Sequence, residues 1–106
     1  MSLLLIASIL LFLNAIAHII AFLKLNREQS PNRWGVLAFV FIDAILGVML
    51  FTGPDWAQYL AIIFPALGGI ALMTQIMRGE PADWIDYSII ALDVLVVGVM
   101  AVVLFT

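Results

Sequence analysis

Pro31-Asn-Arg-Trp34-Gly-Val-Leu-Ala-Phe-Val-Phe-Ile-Asp43 recurs fifty residues later as Pro81-Ala-Asp-Trp84-Ile-Asp-Tyr-Ser-Ile-Ile-Ala-Leu-Asp93. Both stretches read Pro-x-x-Trp-x8-Asp, and both end with a carboxylate inside an otherwise apolar run. A run of this kind is helical and long enough to span a bilayer. An ionisable group at such a depth costs a few kcal/mol on insertion scales, so it marks a functional site by default.

The whole chain reads like these two stretches. Of 106 residues, 66% are apolar and only 10% are charged, with a mean hydropathy of +1.25. Soluble domains carry about 25% charged residues, and a chain this short cannot hide so much apolar surface within itself. An integral membrane protein is expected. There is no cysteine, which excludes disulfides and thiolate metal sites. One histidine leaves little scope for a histidine-built metal or haem site, and no metal or other cofactor is expected. A net charge of −3 without a basic patch gives no reason to expect nucleic acid.

A hydrocarbon core about 30 Å thick needs roughly 20 apolar residues in helical form. Four segments meet that length: Leu3–Leu23, Trp34–Thr52, Trp56–Met77 and Trp84–Phe105. The first could pass for a secretory leader ending at Ala15-Ile16-Ala17. It lacks a positive n-region, however, and its apolar stretch runs on to Leu23, so it reads as a spanning helix. Pro31 is expected in the first turn of the second helix, where its missing N–H is no loss. Gly53-Pro54-Asp55 is expected to be a tight turn, with Asp55 and Gln58 forming a capping box for the third helix. Asp83 and Asp86 place negative charge at the start of the fourth, where the helix dipole favours it.

Lys24, Arg27 and Arg33 fall in or beside the first loop and Arg78 in the third, while the middle turn and tails carry no Lys or Arg. The positive-inside rule then places loops one and three in the cytoplasm and both termini outside, as in a bacterial inner membrane. Trp34 and Trp84 would anchor the cytoplasmic interface and Trp56 the outer one.

The fold expected is an all-α membrane protein of four transmembrane helices in one domain, built as a tandem repeat of two helical hairpins (3–52 and 56–105). Both copies point the same way through the membrane, as in parallel repeats. Allowing for a longer first loop, Leu13–Ala17 aligns with Leu67–Ala71, which sets Asn14 against Gly68. At 1.5 Å per residue, Asp43 and Asp93 each lie about 13 Å from their tryptophan. Asn14 falls at the same depth, and His18 lies one turn away on the same face. These four residues form one candidate polar layer. Gly68 and Gly69 permit close helix approach at that level, and Pro65 can kink the third helix. The layer could be a station for a small polar solute or a proton, or it could simply hold helices together. Glue rarely needs a charge, which favours function for the two aspartates. Glu80, Asp83 and Asp86 are helix-end charges that could also form an acidic vestibule.

Catalytic constellations are absent: there is no nucleophile–histidine–acid spacing, phosphate loop or cofactor-attachment motif, so an enzyme is not expected. Leu11-Phe12-Leu13-Asn14-Ala15, followed by a short basic loop and an apolar second helix, resembles the start of the amide-transporter and urea-channel (AmiS/UreI) family. Gly79-Glu-Pro-Ala-Asp-Trp84-Ile-Asp-Tyr87 resembles the connection after that family's third helix. The resemblance implies a channel for urea or short amides built as a ring of protomers, with Asn14 as a pore or packing residue. That family has six helices, and Asp43 and Asp93 have no counterpart in it. Small multidrug transporters match in length and helix number, but they place a glutamate in the first helix where this chain has Asn14. The expected function is a channel or facilitator for a urea-, amide- or ammonia-like solute, working as a homo-oligomer. The alternatives are an accessory subunit of a larger membrane complex and a small proton-coupled exporter.

Overall fold

Runs of Leu, Ile, Val and Ala, interrupted only at Lys24–Asn32, Gly53–Asp55 and Arg78–Asp83, fold into four helices. The computed structural model describes residues 2–105. Its elements are α1 (Leu3–Arg27), α2 (Arg33–Thr52), α3 (Trp56–Met77) and α4 (Trp84–Phe105). All four are long and apolar enough to cross a membrane.

Each helix buries one narrow stripe. On α1 it runs Ala7, Leu11, Asn14, His18, Ala21, the alternating 4–3 spacing of a helix facing a packed partner. On α3 it is Ala57, Ala61, Pro65, Gly69, and on α4 Ile85, Ile89, Asp93, Val96, Met100. The opposite faces are equally apolar and open, as at Phe41, Ile45, Ile70 and Val94. A bundle that is hydrophobic all round suits an apolar surrounding rather than water.

The helices are arranged in a ring in chain order. α1 packs closely on α2 and α4, α3 packs on α4, and the α2–α3 seam is the loosest. The diagonal pairs α1–α3 and α2–α4 make no close backbone approach among the described residues. Two apolar clusters flank the polar centre. One holds Ala7, Leu11, Leu46, Leu50, Ala61, Val96 and Met100. The other, toward loops one and three, holds Ala17, Ala21, Ile85 and Ile89.

The helix ends differ from expectation at several points. α1 continues to Arg27 instead of stopping at Leu23, so Lys24 and Arg27 occupy its last turn, where cations oppose the dipole. Pro31 lies in the turn before α2, which starts at Arg33. Asp55 makes no side-chain cap bond because its backbone is already helical (φ −61°, ψ −31°), and an N-cap side chain reaches back only from extended backbone. The box forms at α4 instead. Asp83 Oδ1 accepts from the N–H groups of Ile85 (3.2 Å) and Asp86 (3.4 Å), while Asp86 Oδ2 accepts from the Asp83 N–H (3.1 Å). α3 runs unbroken through Pro65, which is fully enclosed.

Loops one and three begin with the same C-cap. Gln29 N–H bonds to Asn26 O and Ser30 N–H to Leu25 O; Gly79 N–H bonds to Ile76 O and Glu80 N–H to Gln75 O. Both are Schellman motifs, with Gln29 (φ 54°) and Gly79 (φ 87°) in the left-handed region. A proline follows two residues later in each. The first loop is therefore not longer than the third in this segment.

Candidate functional site

The α1 stripe turns Asn14 and His18 inward one turn apart, and the stripes of α2 and α4 bring Asp43 and Asp93 to meet them. Asn14, Asp43, Asp93 and His18 are 0%, 0%, 3% and 5% exposed. Asn14 Nδ2 donates to Asp93 Oδ1 at 2.5 Å. His18 Nδ1 stands 2.8 Å from the Asn14 carbonyl oxygen and 3.2 Å from Asp43 Oδ2. A carbonyl oxygen only accepts, so Nδ1 carries the proton, and the alignment directs it to Asn14 rather than to the carboxylate. Nε2 has no hydrogen-bond partner among the described residues.

The cluster is under-satisfied. Asn14 Oδ1, both Asp43 oxygens and Asp93 Oδ2 are enclosed without a hydrogen-bond partner. Buried polar atoms in folded proteins are nearly always paired, and exceptions call for an explanation. Protons on the carboxyl groups, or N–H and O–H donors of a bound solute, would satisfy these oxygens. α3 brings no polar side chain to the layer. It brings Gly69, where an added Cβ would lie 3.4 Å from Asp93 Cβ, and Gly68, where a Cβ would lie 3.2 Å from the Phe39 ring. Both glycines thus admit neighbours closely, and Pro65 and Gly69 line a small groove of about 210 Å³ beside Asp93.

A cleft of about 620 Å³ leads from loops one and three down to this cluster. His18, Phe39 and Gly68 form its deep end, and Glu28, Glu80 and Asp86 line it nearer the loops. Phe39 stacks on the His18 ring with centroids 5.6 Å apart and planes at 20°. At the mouth, Lys24 of α1 makes an ion pair with Asp83. The Lys24 ammonium beside it holds the Asp83 carboxyl below the usual carboxylate range. On the far side of the polar layer, Leu11, Val96 and Met100 pack in the larger apolar cluster. Among the described residues no three metal-ligating side chains gather to hold an ion.

Trp34, Trp56 and Trp84 are 58%, 55% and 68% exposed. Trp34 packs against Phe22 and lies under the Arg33 guanidinium, which is 4.9 Å from its ring centroid.

Three features escaped the sequence. Ser8 Oγ donates to the Gly47 carbonyl at 2.6 Å, tying α1 to α2; its place beside Ala7 on the small-residue face of α1 was the available signal. Phe39 is one of several phenylalanines, and nothing in its neighbourhood marks it as the ring over His18. The Lys24–Asp83 pair joins residues far apart in the chain, which no local pattern reveals. No family model, curated protein or solved structure matches this chain.

Proposed function

We propose that this chain is an integral membrane protein that moves a small polar solute, with Asn14, His18, Asp43 and Asp93 as its proton- and solute-binding station. The observation that carries this reading is the set of unpaired, enclosed oxygens of Asn14, Asp43 and Asp93 grouped with His18, which lines the deep end of a cleft. A cluster serving only as glue would be expected to satisfy its own polar atoms. The longest dimension of the molecule, 40 Å, suits a bilayer with its interfaces.

Access to the station from one side, with apolar packing on the other, favours a facilitator or proton-coupled transporter that changes its accessible side over a permanently open pore. By the positive-inside rule the cleft opens to the cytoplasm, and both termini lie outside. The three exposed tryptophans suit interface anchors. The matched caps of loops one and three support two parallel hairpin copies offset by fifty residues throughout. In that register Gly68 stands where a second histidine would. The resemblance of the Asn14 segment to amide and urea channels makes urea, short amides and ammonia the first solutes to try. A homo-oligomer would cover the open apolar faces further.

The test is solute flux into proteoliposomes across a pH series. Wild type conducts with a pH-dependent rate, and Asp43→Asn and Asp93→Asn each lower the flux at least tenfold or abolish its pH dependence. Full flux with the pH dependence of wild type in both variants overturns the assignment. The loose α2–α3 seam supports a second reading, an accessory subunit that receives a partner's helix there. Stoichiometric recovery of one unrelated protein on native purification would favour it.

A further inference from the structure

The cleft has a charge pattern that the transport reading does not use. Five of its lining side chains are titratable: Lys24, Glu28, Glu80 and Asp86 toward the loops, and His18 at the deep end. Lys24 is occupied by Asp83, so its charge is offset. Three carboxylates then face the mouth with no free cation among the cleft residues. Asp83 takes the Asp86 Oδ2 acceptor through a backbone N–H, and that contact leaves the Asp86 charge in place.

The deep end has a separate, independent feature. His18 is 5% exposed, its Nδ1 proton is committed to the Asn14 carbonyl, and its Nε2 is unpartnered. In the neutral ring Nε2 is an acceptor. On the Nδ1 side of the ring stands the fully enclosed Asp43 carboxyl, with no hydrogen bond to either oxygen. Between the deep end and the mouth the walls are largely apolar, with Val36, Leu72, Ile76 and Ile89 and the single amide of Gln75. His18 and Glu28, the C-cap of α1, are ten residues apart, which is about 15 Å along the axis.

Acceptors at both ends of a largely apolar passage match a linear aliphatic cation with an ammonium group at each end. We infer that the cleft beneath loops one and three, lined by all four helices, binds aliphatic di- or polyammonium ions, one ammonium at His18 and another among Glu28, Glu80 and Asp86. This rests on the polar layer being a solute station, and it replaces an uncharged amide with a polyamine as the solute class. Its volume of about 620 Å³ lies within the range of small-molecule pockets.

Calorimetric titration of the purified full chain in detergent, at fixed pH and ionic strength, tests this with spermidine, 1,4-diaminobutane, butylamine, urea and magnesium chloride. Spermidine and diaminobutane bind at least tenfold more tightly than butylamine, and magnesium at equal concentration does not displace them. The double substitution Glu28→Gln with Glu80→Gln, at exposed positions that leave the packing alone, weakens spermidine at least tenfold and butylamine little. Ala71→Trp, which fills the cleft from the exposed side of α3, removes binding of both. Equal affinity for mono- and diammonium ions, displacement by magnesium, or unchanged binding in Ala71→Trp overturns the inference. Urea flux without ammonium binding overturns this inference and spares the transport reading. Ammonium binding without flux of any solute does the reverse.

Discussion

Asp43 and Asp93 hold equivalent places in their helices but have unlike partners. Asp93 accepts a 2.5 Å bond from the Asn14 amide, whereas Asp43 has only the His18 ring, 3.2 Å from one oxygen. The two should therefore respond differently to substitution. Asn14→Ala removes the donor to a buried carboxyl and leaves Asp93 Oδ1 orphaned, so it should destabilise by about 1–3 kcal/mol, read from unfolding by sodium dodecyl sulfate in mixed micelles. Asp43→Asn adds N–H donors where acceptors crowd, so it should leave stability within about 0.5 kcal/mol, as for a substitution that breaks no contact, while lowering flux. A large loss of stability with intact flux would make Asp43 a structural residue. Gly68→Ala places a methyl 3.2 Å from the Phe39 ring, which must give by a few tenths of an ångström against His18. A destabilisation of roughly 1 kcal/mol is expected from such crowding, together with a changed His18 side-chain NMR shift.

At the scale of the element, the start of α4 is the best-defined helix end in the molecule. Asp83 caps it through two backbone N–H groups and pairs with Lys24 at the end of α1. Asp83→Ala loses both contacts and should cost about 1 kcal/mol from the cap alone, while Asp83→Asn keeps a capping oxygen and loses the charge. The folded carboxyl sits below its ordinary range, so it binds its proton less readily than in the unfolded chain. Its stabilisation is present above the unfolded value of about 3.9 and is lost as pH falls through the lowered folded value. The stability difference between wild type and Asp83→Asn should accordingly be constant near neutrality and shrink below about pH 4. A difference that grows on acidification would show that the ion pair does not stabilise the fold.

For the molecule as a whole, the α2–α3 seam is the loosest of the ring, and the cleft lies beneath loops one and three among all four helices. The chain has no cysteine, so single cysteines report sidedness without background. Placed at Gly79 in loop three and at Pro54 in the middle turn, they should react oppositely with an impermeant maleimide applied outside intact cells. Pro54→Cys is labelled and Gly79→Cys is protected. The reverse pattern would invert the orientation and open the cleft to the outside.

Sequence alone determined the four helices and the four polar residues, because apolar run length and an isolated Asp, Asn or His in such a run are local signals. It also marked Pro-x-x-Trp-x8-Asp as recurring, since that pattern is fixed by spacing along one chain. It misplaced the capping box, which depends on whether the residue before the helix is extended (as an N-cap requires) or already helical, as Asp55 is. Its expectation of a longer first loop failed because the matched Schellman turns at Gln29 and Gly79 depend on backbone conformation, which residue identity there does not announce. Only the tertiary structure decided which carboxylate meets Asn14 and which meets His18, that Phe39 covers the imidazole, that Lys24 reaches Asp83, and that the α2–α3 seam is the loosest. These are contacts between helices. On helices apolar on every face, the sequence pattern does not say which stripe turns inward or which helix it meets there.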